Sequence, residues 1–278
     1  MTPTSNYITI EGRELHYMEW GADNSESVIA WHGLARTGRD MDELAAHLAP
    51  RYRVICPDTI GRGLSQWSLN PETEYCFAFY AKLATGLADA LGIDRLEWVG
   101  TSMGGALGIM LASDEMAGRI RHLVVNDIGP VLPETALTRI RTYAGNPAEF
   151  DTVSELEQYF RTVYKPYGWL SDAQWRRLAE SSARRKESGK VTPHYDPRMV
   201  TQFTAHPQDY ELWDNWDRIT APTLVLRGKD SDLLPRNVAN EMTARGPRAR
   251  LVEFDGCGHA PALNLPEHLD LIAEFLDG

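Results

Sequence analysis

The run Leu96-Glu97-Trp98-Val99-Gly100-Thr101-Ser102-Met103-Gly104 constrains this chain more than any other. A strand-like apolar segment closes at Val99, and a helix-like run of small and apolar residues follows from Gly105 to Ala112. A sharp strand-to-helix turn is what fits between them. A serine on such a turn is held in strained backbone geometry, with its hydroxyl pushed clear of the sheet edge. Glycines two residues on either side remove the Cβ atoms that would clash there. Ser102 is therefore the candidate nucleophile, and the turn itself implies a sheet with helices packed against it.

The rest of the chain supplies that sheet. Tyr7-Ile8-Thr9-Ile10 and Leu15 to Trp20 alternate like strands around a turn at Glu11-Gly12-Arg13. Short apolar runs suited to buried strands follow: Val28 to Trp31, Val54 to Cys56, Leu96 to Val99, Leu123 to Val125, Leu224 to Leu226 and Leu251 to Phe254. Helical patterns lie between them. Tyr75, Phe79, Leu83, Leu87 and Leu91 recur every four residues, and Leu265, Leu269, Ile272 and Leu276 mark a last helix with Pro266 near its start. Strand–helix alternation after a hairpin implies an α/β fold: a mostly parallel central sheet with helices on both faces.

Between about Pro130 and Ala221 the alternation stops. Polar helical pieces replace buried strands, and four of the eight tryptophans and six of the eleven tyrosines gather there. Large aromatics in inserted helices ordinarily pack those helices together. Some of these rings are also expected to line an apolar pocket under a cap. The core is assigned to 1–129 and 221–278, and the inserted helical cap to 130–220. Arg184-Arg185-Lys186 reads as a solvated helix face.

Bulk properties narrow the partners. The net charge of −11 argues against nucleic acid and anionic membrane surfaces. No apolar run approaches the roughly 18 residues a membrane span needs. Met1 to Asn6 has neither a basic start nor an apolar core, so no signal peptide is expected. Cys56, Cys76 and Cys257 are odd in number and lack metal-ligand spacing, which suits a reduced, cytoplasmic setting without metal or other cofactor.

A serine hydroxyl needs a base, a carboxylate to orient the base, and donors for the oxyanion. His259, in Gly256-Cys257-Gly258-His259, follows the final strand and falls at the carboxyl edge of the sheet, as Ser102 does. The acid is sought after a strand between the two. Arg227 to Pro235 offers two carboxylates, and Asp232 is preferred because it lies further into the loop and opens the Leu-Leu-Pro entry to a helix. Asp230 is the alternative, and Asp127, one strand earlier at the same edge, is the third. Backbone N–H groups of Met103 and of Leu34, in the loop after Trp31, are expected to form the oxyanion hole. His32 is expected to brace that loop and not to act as base.

Taken together, His32-Gly33, Asp58 to Ser65, the Gly100 to Gly104 turn, the Gly228 to Pro235 loop and Gly258-His259 resemble the α/β-hydrolase superfamily over nearly the whole chain. The Ser, Asp, His order is the superfamily's. The resemblance implies the α/β-hydrolase fold, a cap inserted before the acid strand, and a structural role for Asp58 to Ser65. It places the acid three residues after the loop glycine, where this chain has Ser231. Serine at 102 argues against the dehalogenase and epoxide hydrolase branches, which use aspartate. The implied activity is carboxylic-ester hydrolysis through an acyl-enzyme on a small-molecule ester with an apolar acyl part. A carbon–carbon bond hydrolase and a non-catalytic hydrolase-fold receptor are the alternatives. Leu34 to Thr37 departs from the glycine-rich stretch of the carbon–carbon hydrolases.

Overall fold

In the computed structural model, which describes residues 2–278, eight strands form one twisted sheet. They are β1 (Thr4–Ile10), β2 (Arg13–Trp20), β3 (Glu26–Trp31), β4 (Tyr52–Pro57), β5 (Leu96–Thr101), β6 (Ile120–Asn126), β9 (Thr223–Gly228) and β10 (Arg250–Phe254), in the order β1-β2-β4-β3-β5-β6-β9-β10. The first two joins, β1–β2 and β2–β4, are antiparallel and all others are parallel. Met1 lies outside the described residues.

The sheet is buried on both sides, and the period of two along each strand sorts its side chains. Ile29 and Trp31 of β3, Trp98 of β5 and Val125 of β6 enter one core, with the helices Phe77–Ala90 and Met103–Ser113. Val28, Ala30, Val99 and Val124 enter the other, with the helices Asp42–Leu48 and Pro266–Asp277. Chain order runs outward from β3 to β4 and then returns to β5 on the other side of β3. A crevice therefore opens beyond the carboxyl ends of β3 and β5, where open α/β sheets bind ligands.

Two details differ from the periodicity. The helix expected from Tyr75 starts at Phe77, and Tyr75 is instead fixed from outside it, by donating its hydroxyl to Asp196 at 2.7 Å. The Pro130–Ala221 segment is mainly helical (Glu134–Ala144, Val153–Val163, Asp172–Ser181), but it also holds a small antiparallel pair, β7 (Ala183–Arg185) and β8 (Val191–Pro193). Arg184 and Arg185 thus lie on a strand, and Arg184 spreads its guanidinium over the Trp67 ring, 3.9 Å from its centroid. The inserted helices carry their own core of Leu156, Phe160, Trp175 and Leu178. Trp169, by contrast, is 65 % exposed.

The loop after β3 is pinned from within. His32 is fully buried; its Nδ1 faces the Gly33 carbonyl at 2.6 Å and its Nε2 accepts the Thr59 N–H at 2.9 Å. One nitrogen donates and the other accepts, so the ring is neutral with its proton on Nδ1. Burial pushes its pKa down to about 4. The unfolded chain takes up this proton near pH 6.5, the folded chain only near pH 4. The stability His32 contributes is complete above pH 6.5 and is lost as pH falls, by about 3 kcal/mol across that window. Urea midpoints measured in pH steps should show this loss, and His32→Gln should flatten that part of the profile.

Candidate active site

Ser102 sits between β5 and the helix Met103–Ser113 with φ 52° and ψ −117°, a left-handed conformation that serine avoids unless its surroundings impose it. The surroundings do so. Its N–H donates to the Asn126 carbonyl at 2.8 Å, and its carbonyl accepts from Gly105 and Ala106 at 2.8 and 2.9 Å. A Cβ on Gly104 would meet the Trp31 and His32 carbonyls, so only glycine lets the turn lie this close to β3.

His259 lies in the loop after β10. Its Nε2 is 3.0 Å from Ser102 Oγ, and its Nδ1 is 2.8 Å from Asp127 Oδ2. The three side chains form one hydrogen-bonded line at the carboxyl ends of β5, β10 and β6.

The acid beside His259 is thus Asp127, the third candidate, and the preference for Asp232 is corrected. Asp232 is 53 % exposed and ion-paired with Arg139. The reason lies in the loop after β9. Ser231, three residues after Gly228, turns inward, and its hydroxyl accepts the Leu233 and Leu234 N–H groups at 3.3 and 3.1 Å. That local turn throws Asp232 outward. Asp230 is also exposed, and it is its backbone N–H that bonds the loop, donating to the Cys257 carbonyl at 3.0 Å.

Asp127 is fully buried and itself left-handed, with φ 59°, a region that aspartate tolerates better than most residues. Its carboxylate accepts three hydrogen bonds. Gly228 N–H donates to Oδ1 at 2.8 Å, Ser231 Oγ–H to Oδ2 at 2.6 Å, and His259 Nδ1–H to Oδ2. A buried charge is tolerable only when its lone pairs are used in this way. Ser231 therefore stands where the resemblance places the acid, and there it supports an acid supplied by the neighbouring strand.

The proposed oxyanion donors both lie close to Ser102. Met103 opens its helix, so its N–H has no intrahelical acceptor. Leu34 lies in the pinned loop, where a Cβ on Gly33 would stand 3.7 Å from Ser102 Cβ. Arg62, missed in the sequence reading, ties the two together from behind. It is fully buried, donates Nε–H to the Leu34 carbonyl at 2.9 Å, and directs Nη2 at Met103 Sδ, 3.7 Å away. Its only sequence signal is a charged residue flanked by two glycines, Gly61 and Gly63. Asp58, in the same loop, receives His16 and the Gly38 and Leu64 N–H groups, as befits a structural role.

A cavity of about 560 Å³ opens over Ser102 and His259. Its floor is Gly33 to Arg36 and its roof is drawn from the inserted segment, including Ile140, Phe160 and Tyr195.

A family model described as the alpha/beta hydrolase fold matches residues 26–264. The chain belongs to the α/β-hydrolase family. It is a hydrolase and is 36 % identical to the 3-hydroxybutyrate-oligomer hydrolase of Cupriavidus necator, over 94 % of this chain and 92 % of that protein. It is 26 % identical to a 2-hydroxy-6-oxononadienedioate/2-hydroxy-6-oxononatrienedioate hydrolase of Cupriavidus pinatubonensis, over 92 % and 89 %. An alpha/beta hydrolase of Novosphingobium aromaticivorans has the same architecture, with a TM-score of 0.88 and 34 % identity over 99 % of this chain and 98 % of that one. Among the described residues no helix is long and apolar enough to cross a membrane.

The geometry separates the three aspartates by experiment. Asp127→Asn should lower kcat by about four orders of magnitude, by leaving the wrong histidine tautomer facing the serine. Asp232→Asn should cost less than about tenfold, because an exposed ion pair contributes little. Steady-state rates on a nitrophenyl ester check both.

Proposed function

We propose that this protein hydrolyses carboxylic esters through an acyl-enzyme on Ser102. The observation that carries the reading is the continuous line from Ser102 Oγ through the His259 ring to the Asp127 carboxylate. Ser102 Oγ attacks the ester carbonyl carbon and its proton passes to His259 Nε2. The Asp127 carboxylate holds the ring in the productive tautomer and stabilises the imidazolium. The Leu34 and Met103 N–H groups donate hydrogen bonds to the developing oxyanion; losing one such donor typically costs about 3 kcal/mol of transition-state stabilisation. The carbon–oxygen bond then breaks and the alcohol leaves with the proton from His259. Water, deprotonated by the same ring, attacks the acyl-enzyme and releases the acid and the free serine.

The named activity of the 36 % identical relative supports an ester of the oligomeric hydroxyacid kind as substrate. The inserted segment acts in this reading as a cap, since it closes the cavity over Ser102. The three cysteines are free and buried, which fits a reducing, cytoplasmic compartment. A carbon–carbon bond hydrolase would use the same serine and base. It draws support from the 26 % identical relative, but the ester reading is preferred because the more similar relative is named for an oligomer of a hydroxyacid.

A fluorophosphonate probe should add its mass at Ser102. Ser102→Ala should abolish both labelling and the turnover of short nitrophenyl esters. Equal turnover by Ser102→Ala would overturn the mechanism, and labelling or ligand binding without any turnover would point to a receptor.

A further inference from the structure

The cavity over Ser102 combines apolar side chains with phenol hydroxyls. Five tyrosines line it: Tyr143, Tyr159, Tyr164, Tyr167 and Tyr195. Three tyrosines of the protein interior spend their hydroxyls on neighbours, Tyr52 on Asp277, Tyr75 on Asp196 and Tyr80 on Arg62. None of the five cavity hydroxyls has a protein partner among the described residues. Tyr195 is buried, Tyr159, Tyr164 and Tyr167 are half-buried and Tyr143 lies at the cavity mouth, 41 % exposed, so their hydroxyls face the cavity and not the protein. Five in one cavity without a protein partner is the lining of a site whose partner is the ligand.

The cluster is ordered. Tyr164 stacks on Tyr167 with centroids 4.8 Å apart and packs against Phe160 at 5.1 Å. The buried Arg36 guanidinium lies over both Phe160 and Tyr164, 5.2 and 4.8 Å from their centroids, and is itself fixed by two hydrogen bonds to Asp40 at 2.6 and 2.7 Å. Its remaining nitrogen, Nη1, is buried without a partner beside the cavity. Burial pushes the phenols of Tyr143, Tyr159, Tyr167 and Tyr195 above their ordinary value, and the nearby Tyr164 hydroxyl adds to it in each. These four therefore remain O–H donors through the neutral pH range.

Donors distributed along a cavity suit a ligand with acceptors distributed along its length. A hydrocarbon acyl chain has none, and burying it here would take water from the inner phenols without giving them a partner. A chain of esterified hydroxyacids has a carbonyl at every unit. The volume of about 560 Å³ lies within the roughly 300–1,000 Å³ of small-molecule sites and leaves room for more than the scissile unit.

We infer that the five tyrosine hydroxyls bind ester carbonyls along an oligomeric hydroxyacid chain, selecting it over a plain acyl ester of similar size. This replaces the expectation of a simply apolar acyl group, and it rests on the ester-hydrolase reading above.

The test compares kcat/KM for the linear trimer of 3-hydroxybutyrate and for nitrophenyl butyrate in the native protein and in Tyr143→Phe, Tyr164→Phe, Tyr195→Phe and their triple combination. Phenylalanine keeps the ring and removes only the donor. The ratio of the two constants does not depend on how much of a preparation is folded. The trimer-to-butyrate ratio should fall at least tenfold in the triple variant, chiefly through KM for the trimer, as expected for binding shared by ground and transition states. An unchanged ratio, or a native protein that turns over the butyrate ester and ignores the trimer, overturns the tyrosine assignment and leaves the esterase reading standing. Turnover of neither ester by the native protein overturns both.

Discussion

The Asp127 carboxylate is the joint on which the site depends. It receives hydrogen bonds from Gly228, Ser231 and His259, partners 101, 104 and 132 residues away in sequence. Those bonds fasten the end of β6 to the end of β9 and to the loop after β10. A carboxylate with no solvent exposure is costly unless nearly all of its acceptor capacity is used. The same three bonds that make its burial tolerable also fix the plane of the His259 ring. Stability and orientation thus have one cause, and neither loop can shift without exposing an unpaired charge.

On the opposite side of Ser102 the loop after β3 is held by buried side chains. His32 holds the loop after β3 by its ring nitrogens, and Arg62 fastens the Leu34 carbonyl from behind. Backbone donors that do not reorganise during reaction are those that stabilise an oxyanion best. The inserted segment then closes over this floor with a roof of tyrosines. In the proposed ester reading the floor serves the reaction and the roof the choice of substrate.

Much of this was legible in the sequence. The Gly100–Gly104 turn, His259, the loop after Trp31 and the sheet all follow from local signals: a period of two, a strand-to-helix switch, and glycines where backbones meet. Asp127 is within reach, after Leu123 to Val125 at the right sheet edge, but depth within the loop and the Leu-Leu-Pro helix entry favour Asp232. What decides between them is the direction of the Ser231 side chain. That direction is set by two backbone hydrogen bonds inside the loop after β9, which sequence spacing does not encode. Arg62 was invisible for a similar reason, since a buried arginine is recognised by its acceptors and those come from other loops. The β7–β8 pair escaped because three-residue strands have too little length for a period to show.

The most direct test of the Ser102–His259–Asp127 line is the proton NMR spectrum of the native protein at neutral pH. A hydrogen held between His259 Nδ1 and a buried carboxylate resonates far downfield of the amide envelope. The account predicts such a signal in the native protein and in Asp232→Asn, and its loss in Asp127→Asn. A signal that survives in Asp127→Asn and disappears in Asp232→Asn would contradict it.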